Sequence, residues 1–390
     1  MDYSNNNDSI FHQEKNVFVG IDIGGTNIKV GAVDHNGKCL KVLQKKITNR
    51  QCNEVVNLIL ELYQLVVKDL SFRGNYSLNI EGIGTGCPGQ CTDGYLVGAC
   101  AFPEWGNNVP LQQIISEALG GPQTVLVNDA DAAAAAECWV RRWKTTSTKN
   151  LVLFSLGTGV GTGVVLNGKL MTGSRGLVEG GHMVVEPDGR ECGCGQRGCL
   201  ETYVGAAAWG VWVQELLQLY PGVPSVFRGV THKEVEPKSV FCALNKDDPI
   251  AIKVVDQVAR KLAISCVNIC RMLHPEVIVF SGGISEAGQP FVNRIEEHFA
   301  ILTGDTFQDK VAFQLATVKS NSGVVGAAAS AKAMSITEKD SANDDVKNPV
   351  YLHSFGGKFS SSSWIMIGFI IGGCGSVVAY LSLRTRINHT

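Results

Sequence analysis

Two glycine-rich turns in the sequence have residue types suited to binding a phosphate chain. The first consists of five residues that follow an apolar run: Asp22, Gly24, Gly25, Thr26 and Asn27. Glycines let backbone N–H groups approach an anion closely, and hydroxyl and amide side chains add hydrogen bonds. Asp22, at the end of a predicted strand, is suited to holding a hydrated Mg²⁺ beside the phosphates. Taken alone, the same residues also fit an ordinary hairpin turn.

The second turn also follows an apolar run, and its glycines occupy every second position. Its candidate phosphate-binding residues are Gly157, Thr158, Gly159 and Gly161. The spacing excludes a Walker A loop and the dinucleotide-binding fingerprint. A glycine pair, Gly282 and Gly283, follows a further predicted strand, 277–280, and could face a nucleotide. Together the three turns indicate a polyphosphate held from two sides.

The pair Asn128-Asp129 lies where an apolar strand ends and an alanine-rich helix begins. This position presents a carboxylate at a cleft. Transfer of a phosphoryl group to an alcohol benefits from a base that accepts the hydroxyl proton, and Asp129 is the candidate. The alternative is that Asp129 or Asp131 only caps the helix.

A histidine and three closely spaced cysteines form a candidate metal site. The four residues are His182, Cys192, Cys194 and Cys199. They supply the four ligands of a tetrahedral, structural zinc, with no position left open for catalysis. The alternative, a disulfide with a spare thiol, is disfavoured because the thirteen cysteines are odd in number and mostly scattered, as in a reducing compartment. Glu179 and Glu201 flank this segment and could bind sugar hydroxyls or form surface salt bridges.

The elements around these residues form two similar series, each opening with a strand, a glycine turn and a returning strand. The pattern predicts two α/β lobes with a ligand cleft between them. The expected organisation is a polar arm at 1–16, an N-terminal lobe at 17–133, and a C-terminal lobe at 134–334 that carries the zinc knuckle. We expect the last helix of the second lobe to pack back on the first.

Composition excludes some classes of function. The 390 residues are 45% apolar and 18% charged, with a net charge of −2, so nothing indicates a nucleic-acid partner. The N-terminal arm has no apolar stretch of the kind that a secretory signal requires.

The C-terminal part of the sequence differs from the rest in composition. Residues 335–363 are polar and predict a flexible linker. Residues 364–383 carry no charge and are long enough for a transmembrane helix, with a short tail at 384–390; a buried core helix is the alternative. We therefore expect a tail-anchored protein with a cytosolic catalytic part, in the mitochondrial outer membrane or the endoplasmic reticulum. Small residues at four-residue spacing in this segment are compatible with a homodimer.

In their order along the chain, these motifs resemble the ROK sugar kinases, a family that includes bacterial glucokinases and the animal N-acetylmannosamine kinase domain. The resemblance runs from about Val17 to Met334. It covers both glycine turns, Asn128-Asp129, the Glu179-to-His182 segment and the cysteine knuckle that ends at Glu201. Pro88-Gly89 matches a Pro-Gly pair beside the sugar.

The resemblance implies an actin-like, ribonuclease-H-like fold with ATP and Mg²⁺ in the cleft. Asp129 would take the proton from a sugar hydroxyl. The sugar would also contact five further residues: Gly89, Asn128, Glu179, His182 and Glu201. His182 would bind zinc through its other ring nitrogen, so the metal would shape the sugar site without reacting.

Two positions depart from the family pattern. Ala101 stands where relatives often have a sugar-contacting Asn, and Gly180 stands where a large apolar residue is usual. We expect glucose as the substrate, with N-acetylmannosamine or N-acetylglucosamine as the alternative within the same chemistry. The alternative of another class is a membrane-tethered sugar sensor without catalysis, which the intact Asp22 and Asp129 argue against. The sixteen residues before Val17 are too few for the helix-turn-helix of ROK repressors.

Overall fold

The computed structural model describes residues 14–74, 77–98, 102–120, 124–144, 148–173, 176, 178–304, 311–318 and 321–343. Contacts divide the chain into one unit at Met1–Ala342 and another at Asn343–Thr390. Apart from Asn343, the second unit lies outside the described residues, so the architecture below is that of the first.

Strands and helices alternate along the first unit. The strands are β1 Lys15–Ile23, β2 Asn27–Val33, β3 Cys39–Lys46, β4 Leu78–Cys87, β5 Gln90–Thr92, β6 Tyr95–Val97, β7 Thr124–Asn128, β8 Leu151–Leu156, β9 Val160–Leu166, β10 Lys169–Met171, β11 Val277–Ser281 and β12 Ala312–Leu315. The helices are α1 Cys52–Gly74, α2 Leu111–Leu119, α3 Asp129–Lys144, α4 Glu201–Val204, α5 Ala206–Leu219, α6 Pro237–Leu244, α7 Pro249–Leu273, α8 Gln289–Thr303 and α9 Ser322–Asn343.

Two five-stranded sheets share one topology. The first has the order β3-β2-β1-β4-β7 and the second the order β10-β9-β8-β11-β12. In each sheet an antiparallel strand–turn–strand unit leads into parallel strands. The two glycine turns, between β1 and β2 and between β8 and β9, therefore occupy equivalent positions in the two sheets. This is the two-lobed α/β architecture that the repeated pattern predicts.

Helix α9 packs directly against the first sheet because glycines leave room for it. A Cβ atom added at Gly20 in β1 would lie 1.8 Å from the carbonyl oxygen of Val324, and one at Gly84 in β4 would lie 1.8 Å from that of Ala327. No side chain fits at either position. The chain thus returns from the second sheet through β12 and places its last described helix on the first.

Helix α3 connects the two sheets in the opposite direction. It begins immediately after β7 of the first sheet and packs against β8 and β9 of the second. The approach to β9 is close, since a Cβ at Gly163 would lie 2.5 Å from the Cβ of Ala134. The first residues of α3 therefore lie at the junction of the lobes, where Asn128 and Asp129 are.

The structure corrects the prediction of a membrane-spanning helix. Across the part of the chain that the structure describes, no helix combines the length and the apolar character needed to cross a membrane. The longest, α7, carries charged side chains such as Lys253, Asp256 and Arg260, which are costly in hydrocarbon. Residues 364–383 lie outside the described residues. Three predictions were therefore wrong: the transmembrane helix in the fold class, the membrane as a partner and the tail-anchored localisation.

Candidate active site

The first glycine turn is held by its own backbone and by the loop after β3. The N–H of Gly24 donates to the carbonyl of Asn27 at 2.9 Å, and the carbonyl of Thr26 accepts from the N–H of Ile47 at 2.8 Å. Gly25 and Thr26 are exposed at the tip of the turn. Their backbone is therefore open to a ligand, as phosphate binding requires.

Asp22 lies beside this turn and close to Asp129. Burial raises the pKa of Asp22, the charge of Asp129 raises it further, and Lys29 lowers it. The carboxylate also lies against the start of α9, where a Cβ at Gly323 would come within 2.4 Å of its Cγ. Two carboxylates from different segments are thus near enough for their charges to interact, an arrangement suited to a cation.

Asn128 and Asp129 are positioned by the Pro88-Gly89 segment and by the start of α3. The side-chain N–H of Asn128 donates to the carbonyl of Gly89 at 2.9 Å. The N–H of Ala130 donates to Oδ1 of Asn128 at 2.8 Å and to Oδ1 of Asp129 at 2.9 Å. Asp129 is accessible to solvent in the cleft, yet desolvation by the surrounding protein raises its pKa. An accessible carboxylate with a raised pKa is suited to accept a proton.

The second glycine turn contacts the end of the cysteine segment. The carboxylate of Glu201 accepts a hydrogen bond of 2.9 Å from the N–H of Val160. The N–H of Ala206 at the start of α5 donates to the carbonyl of Gly157 at 3.0 Å. Gly282 packs beside this turn, since a Cβ there would lie 2.4 Å from the carbonyl oxygen of Leu156. Gly283 is open on its side-chain side.

The four predicted metal ligands converge. One ligand atom from each of His182, Cys192, Cys194 and Cys199 lies within 4.8 Å of the others. Nδ1 of His182 is 3.5 Å from the sulfur of Cys192, and the sulfurs of Cys194 and Cys199 are 3.6 Å apart. Ligands around a tetrahedral zinc are about 3.5–3.8 Å apart, so the donor set fits the ion in type and spacing. The backbone N–H of Gln196 lowers the pKa of the Cys194 thiol, which favours the thiolate form.

The segment before His182 connects the metal ligands to the cleft. Nε2 of His182, on the side of the ring opposite Cys192, is 3.9 Å from a carboxylate oxygen of Glu179. Gly180 is buried against β9, and a Cβ there would lie 2.6 Å from Oγ1 of Thr162. The departure at position 180 is therefore accommodated by close packing on Thr162. Ala101, the other departure, lies outside the described residues.

Sequence reasoning missed two residues of this site. Gly323, which no sequence motif singled out, makes room for the Asp22 carboxylate. Asp131, considered only as a cap, is fully buried, and both its carboxylate oxygens lack a hydrogen-bond partner among the described residues. It lines a pocket of about 330 Å³ together with Asn128, Gln112 and Thr172. The signal available in the sequence was a second Asp, two residues after the candidate base.

Comparison with known proteins agrees with this geometry. Residues 18–334 match the profile described as the ROK family. A glucokinase from Halalkalibacterium halodurans is 32% identical over 313 residues, covering 79% of this chain and 93% of the relative. A glucokinase from Thermotoga maritima is 31% identical over 314 residues, covering 80% and 95%.

Among solved structures, a ROK family glucokinase from Streptomyces griseus in complex with glucose and AMPPNP superposes with a TM-score of 0.65 at 26% identity. The match covers 81% of this chain and 99% of that one. The fold and these relatives define the class of protein as an ATP-dependent hexose kinase. The chain belongs to the ROK family.

Proposed function

We propose that this enzyme transfers the γ-phosphate of ATP to a hydroxyl of glucose, giving glucose 6-phosphate and ADP. The observation that carries the proposal is that Asp129, at the start of α3, lies near enough to Asp22 beside the first glycine turn for their charges to interact. The glucokinase relatives support glucose as the hexose. Because the chain departs from the family pattern at Ala101, the choice of sugar requires a direct test.

Asp129 is the proposed base. It would accept the proton of the sugar hydroxyl as that oxygen bonds to the γ-phosphorus and the bond to the β-phosphate oxygen breaks. The hydrogen bond between Asn128 and Gly89 holds both beside Asp129, where they would orient the sugar. Glu179, His182 and Glu201 would complete the sugar site from the second lobe.

The two glycine turns are the proposed phosphate-binding elements. In the first turn, backbone N–H groups between Gly24 and Asn27 would bind the phosphates, with the Thr26 hydroxyl adding a hydrogen bond. The second turn, from Gly157 to Gly161, and the pair Gly282-Gly283 would contact the nucleotide from the other lobe. Asp22 would hold Mg²⁺, which supplies charge neutralisation to the phosphates when bound.

Zinc is the proposed occupant of the His182 and three-cysteine cluster. The ligand types and separations support it. All four positions are filled by protein atoms, so the ion would stabilise the loop that carries Glu179 and His182. The homodimer stays a prediction, which light scattering of the purified chain tests.

A coupled assay with the full-length protein tests the proposed function. We expect ATP consumption with glucose to exceed that with N-acetylmannosamine, N-acetylglucosamine, mannose and fructose. Asp129→Asn should lower turnover by about 10²-fold or more, the typical contribution of a positioned base. Asp256→Asn, in α7 beside His298, is the matched control and should keep wild-type activity. Failure of the folded wild-type protein to phosphorylate any of the five sugars would contradict the proposal.

A further inference from the structure

Arg50 lies in the loop between β3 and α1 and connects two segments that are far apart in sequence. Its guanidinium donates from Nη1 to the carbonyl of Gly25 at 3.2 Å, in the first glycine turn. The same group donates from Nε to a carboxylate oxygen of Glu104 at 3.1 Å. One planar side chain therefore contacts both segments at the same time.

The second segment, residues 102–105, is closely packed where Arg50 contacts it. Phe102 is fully buried and stacks on Trp105 with ring centroids 4.3 Å apart. The guanidinium of Arg50 lies over the Phe102 ring at 5.0 Å, a cation–π distance. The indole N–H of Trp105 donates to the backbone carbonyl of Arg50 at 2.6 Å. We call residues 102–105 the aromatic segment.

The loop that carries Arg50 also contacts the glycine turn independently of this side chain. The N–H of Ile47 donates to the carbonyl of Thr26 at 2.8 Å. The turn is therefore held through two adjacent carbonyls, one bound by a backbone N–H and the other by the Arg50 side chain. A shift of the aromatic segment would be transmitted to Gly25 mainly through Arg50.

The inference below rests on the proposed function, in which the two segments serve different substrates. The glycine turn is the proposed site of the ATP phosphates. The aromatic segment packs in the same buried cluster as Cys87 and Cys91, which stand on either side of the Pro88-Gly89 pair of the proposed sugar site. We propose that Arg50 is a positioning residue that couples the two sites, so that a bound nucleotide raises the affinity for the sugar and a bound sugar raises the affinity for the nucleotide. The coupling is reciprocal by thermodynamic necessity.

Holding Gly25 and Glu104 at the same time requires the planar guanidinium group of an arginine. Nε and Nη1 point to two partners in fixed geometry, whereas a lysine ammonium is a point charge on a flexible stem that holds neither partner in a fixed direction. The contact is half exposed, with 47% of the Arg50 side chain and 26% of Glu104 accessible. Exposed ion pairs contribute little to stability, so the expected effect is on coupling, with a size of about threefold to fivefold.

Calorimetric titration of the full-length protein tests the proposal. Glucose is titrated with and without saturating AMPPNP, and the ratio of the two dissociation constants gives the coupling. We expect wild type to show a ratio of about 5 and Arg50→Ala a ratio near 1. Glu104→Gln should lose part of the coupling and Arg50→Lys should restore part of it. The double variant Arg50→Ala/Glu104→Gln should lose no more than Arg50→Ala alone, as for two residues acting together.

Lys45→Ala is the matched control. Lys45 also forms an exposed pair with a carboxylate, Glu61, in the same lobe, and it contacts neither segment. It should keep the wild-type ratio, and melting curves should show each variant folded. An unchanged ratio in Arg50→Ala, or a ratio of 1 in wild type, would overturn the role of Arg50 while leaving glucose phosphorylation intact. Absence of glucose binding and turnover in wild type would overturn the proposed function and this inference together.

Discussion

A carboxylate oxygen of Glu201 accepts a hydrogen bond of 2.9 Å from the backbone N–H of Val160. This contact connects the end of the cysteine segment to the second glycine turn, 41 residues earlier in the chain. Glu201, which is also a proposed sugar ligand, thereby holds the backbone of the proposed nucleotide site. A Cβ at Gly159 would lie 2.2 Å from the same carboxylate oxygen, so a side chain at this position would displace Glu201 from the N–H of Val160.

Replacing Gly159 should therefore strain the second turn. We expect Gly159→Ala to lower the free energy of unfolding by about 1–3 kcal/mol, as overpacking commonly does. The measurement is urea denaturation of the protein without ligands. Gly157→Ala is the matched control in the same turn, since an added Cβ there meets no atom within 4 Å. Equal losses for the two variants would contradict the role of the Glu201 contact.

Replacing Gly323 should displace Asp22 while leaving the fold intact. A Cβ at this position would lie 2.4 Å from Cγ of Asp22, whereas alanine in a helix is favoured over glycine by about 1 kcal/mol. We expect Gly323→Ala to lower kcat by about 10- to 100-fold, because small misplacements of a catalytic group are costly. Ser330→Ala, further along α9, should keep wild-type kcat. Wild-type kinetics in Gly323→Ala would show that the Asp22 position is not needed.

Replacing Asp131 should change how stability depends on pH. Burial, with the charges of Asp129 and Glu179, raises the pKa of Asp131 from 3.8 to about 7. Since the folded-state pKa is the higher one, the folded protein binds the extra proton, and stability falls as pH rises from about 4 to 7. Asp131→Asn removes this loss, so it should stabilise the protein more at pH 8 than at pH 5, by about 3 kcal/mol at most.

Denaturation at several pH values measures the Asp131 effect. Asp247→Asn is the control, since it removes one carboxylate at an exposed position. A pH-independent difference for Asp131→Asn would contradict a carboxyl group that is charged at pH 8 and neutral at pH 5.

Metal analysis tests the four-ligand cluster. We expect one zinc per chain after dialysis, measured by inductively coupled plasma mass spectrometry. Cys199→Ser and Cys194→Ser should each lower that content well below one and lower the melting temperature, because a structural ion contributes directly to folding. Cys242→Ser replaces an exposed cysteine outside the cluster and should retain full zinc content. A metal-free wild-type protein that is fully stable would contradict the zinc proposal.

Local patterns predicted much of the fold because their causes are local. The apolar run before Asp22 forms β1, and the helical spacing of apolar residues at 250–273 is a local pattern that forms α7, Pro249–Leu273. Helix α8 was not predicted, although Phe291, Ile295 and Phe299 lie at helical spacing and are buried. The predicted C-terminal membrane helix was wrong, because an uncharged run of sufficient length does not by itself establish a membrane span.

The sequence by itself determined the glycine turns and the cysteine cluster, since turn conformation and ligand spacing depend on neighbouring residues. Tertiary structure alone decided which distant residues meet. Asp22 lies against Gly323 because α9 returns to the first sheet, and Arg50 reaches both Gly25 and Glu104 because the β3–α1 loop lies between their segments. The carboxylate of Asp131 is buried, with no hydrogen-bond partner in the part of the chain that the structure describes, because α3 joins the two sheets. These contacts depend on how sheets and helices pack, and no spacing along the chain encodes them.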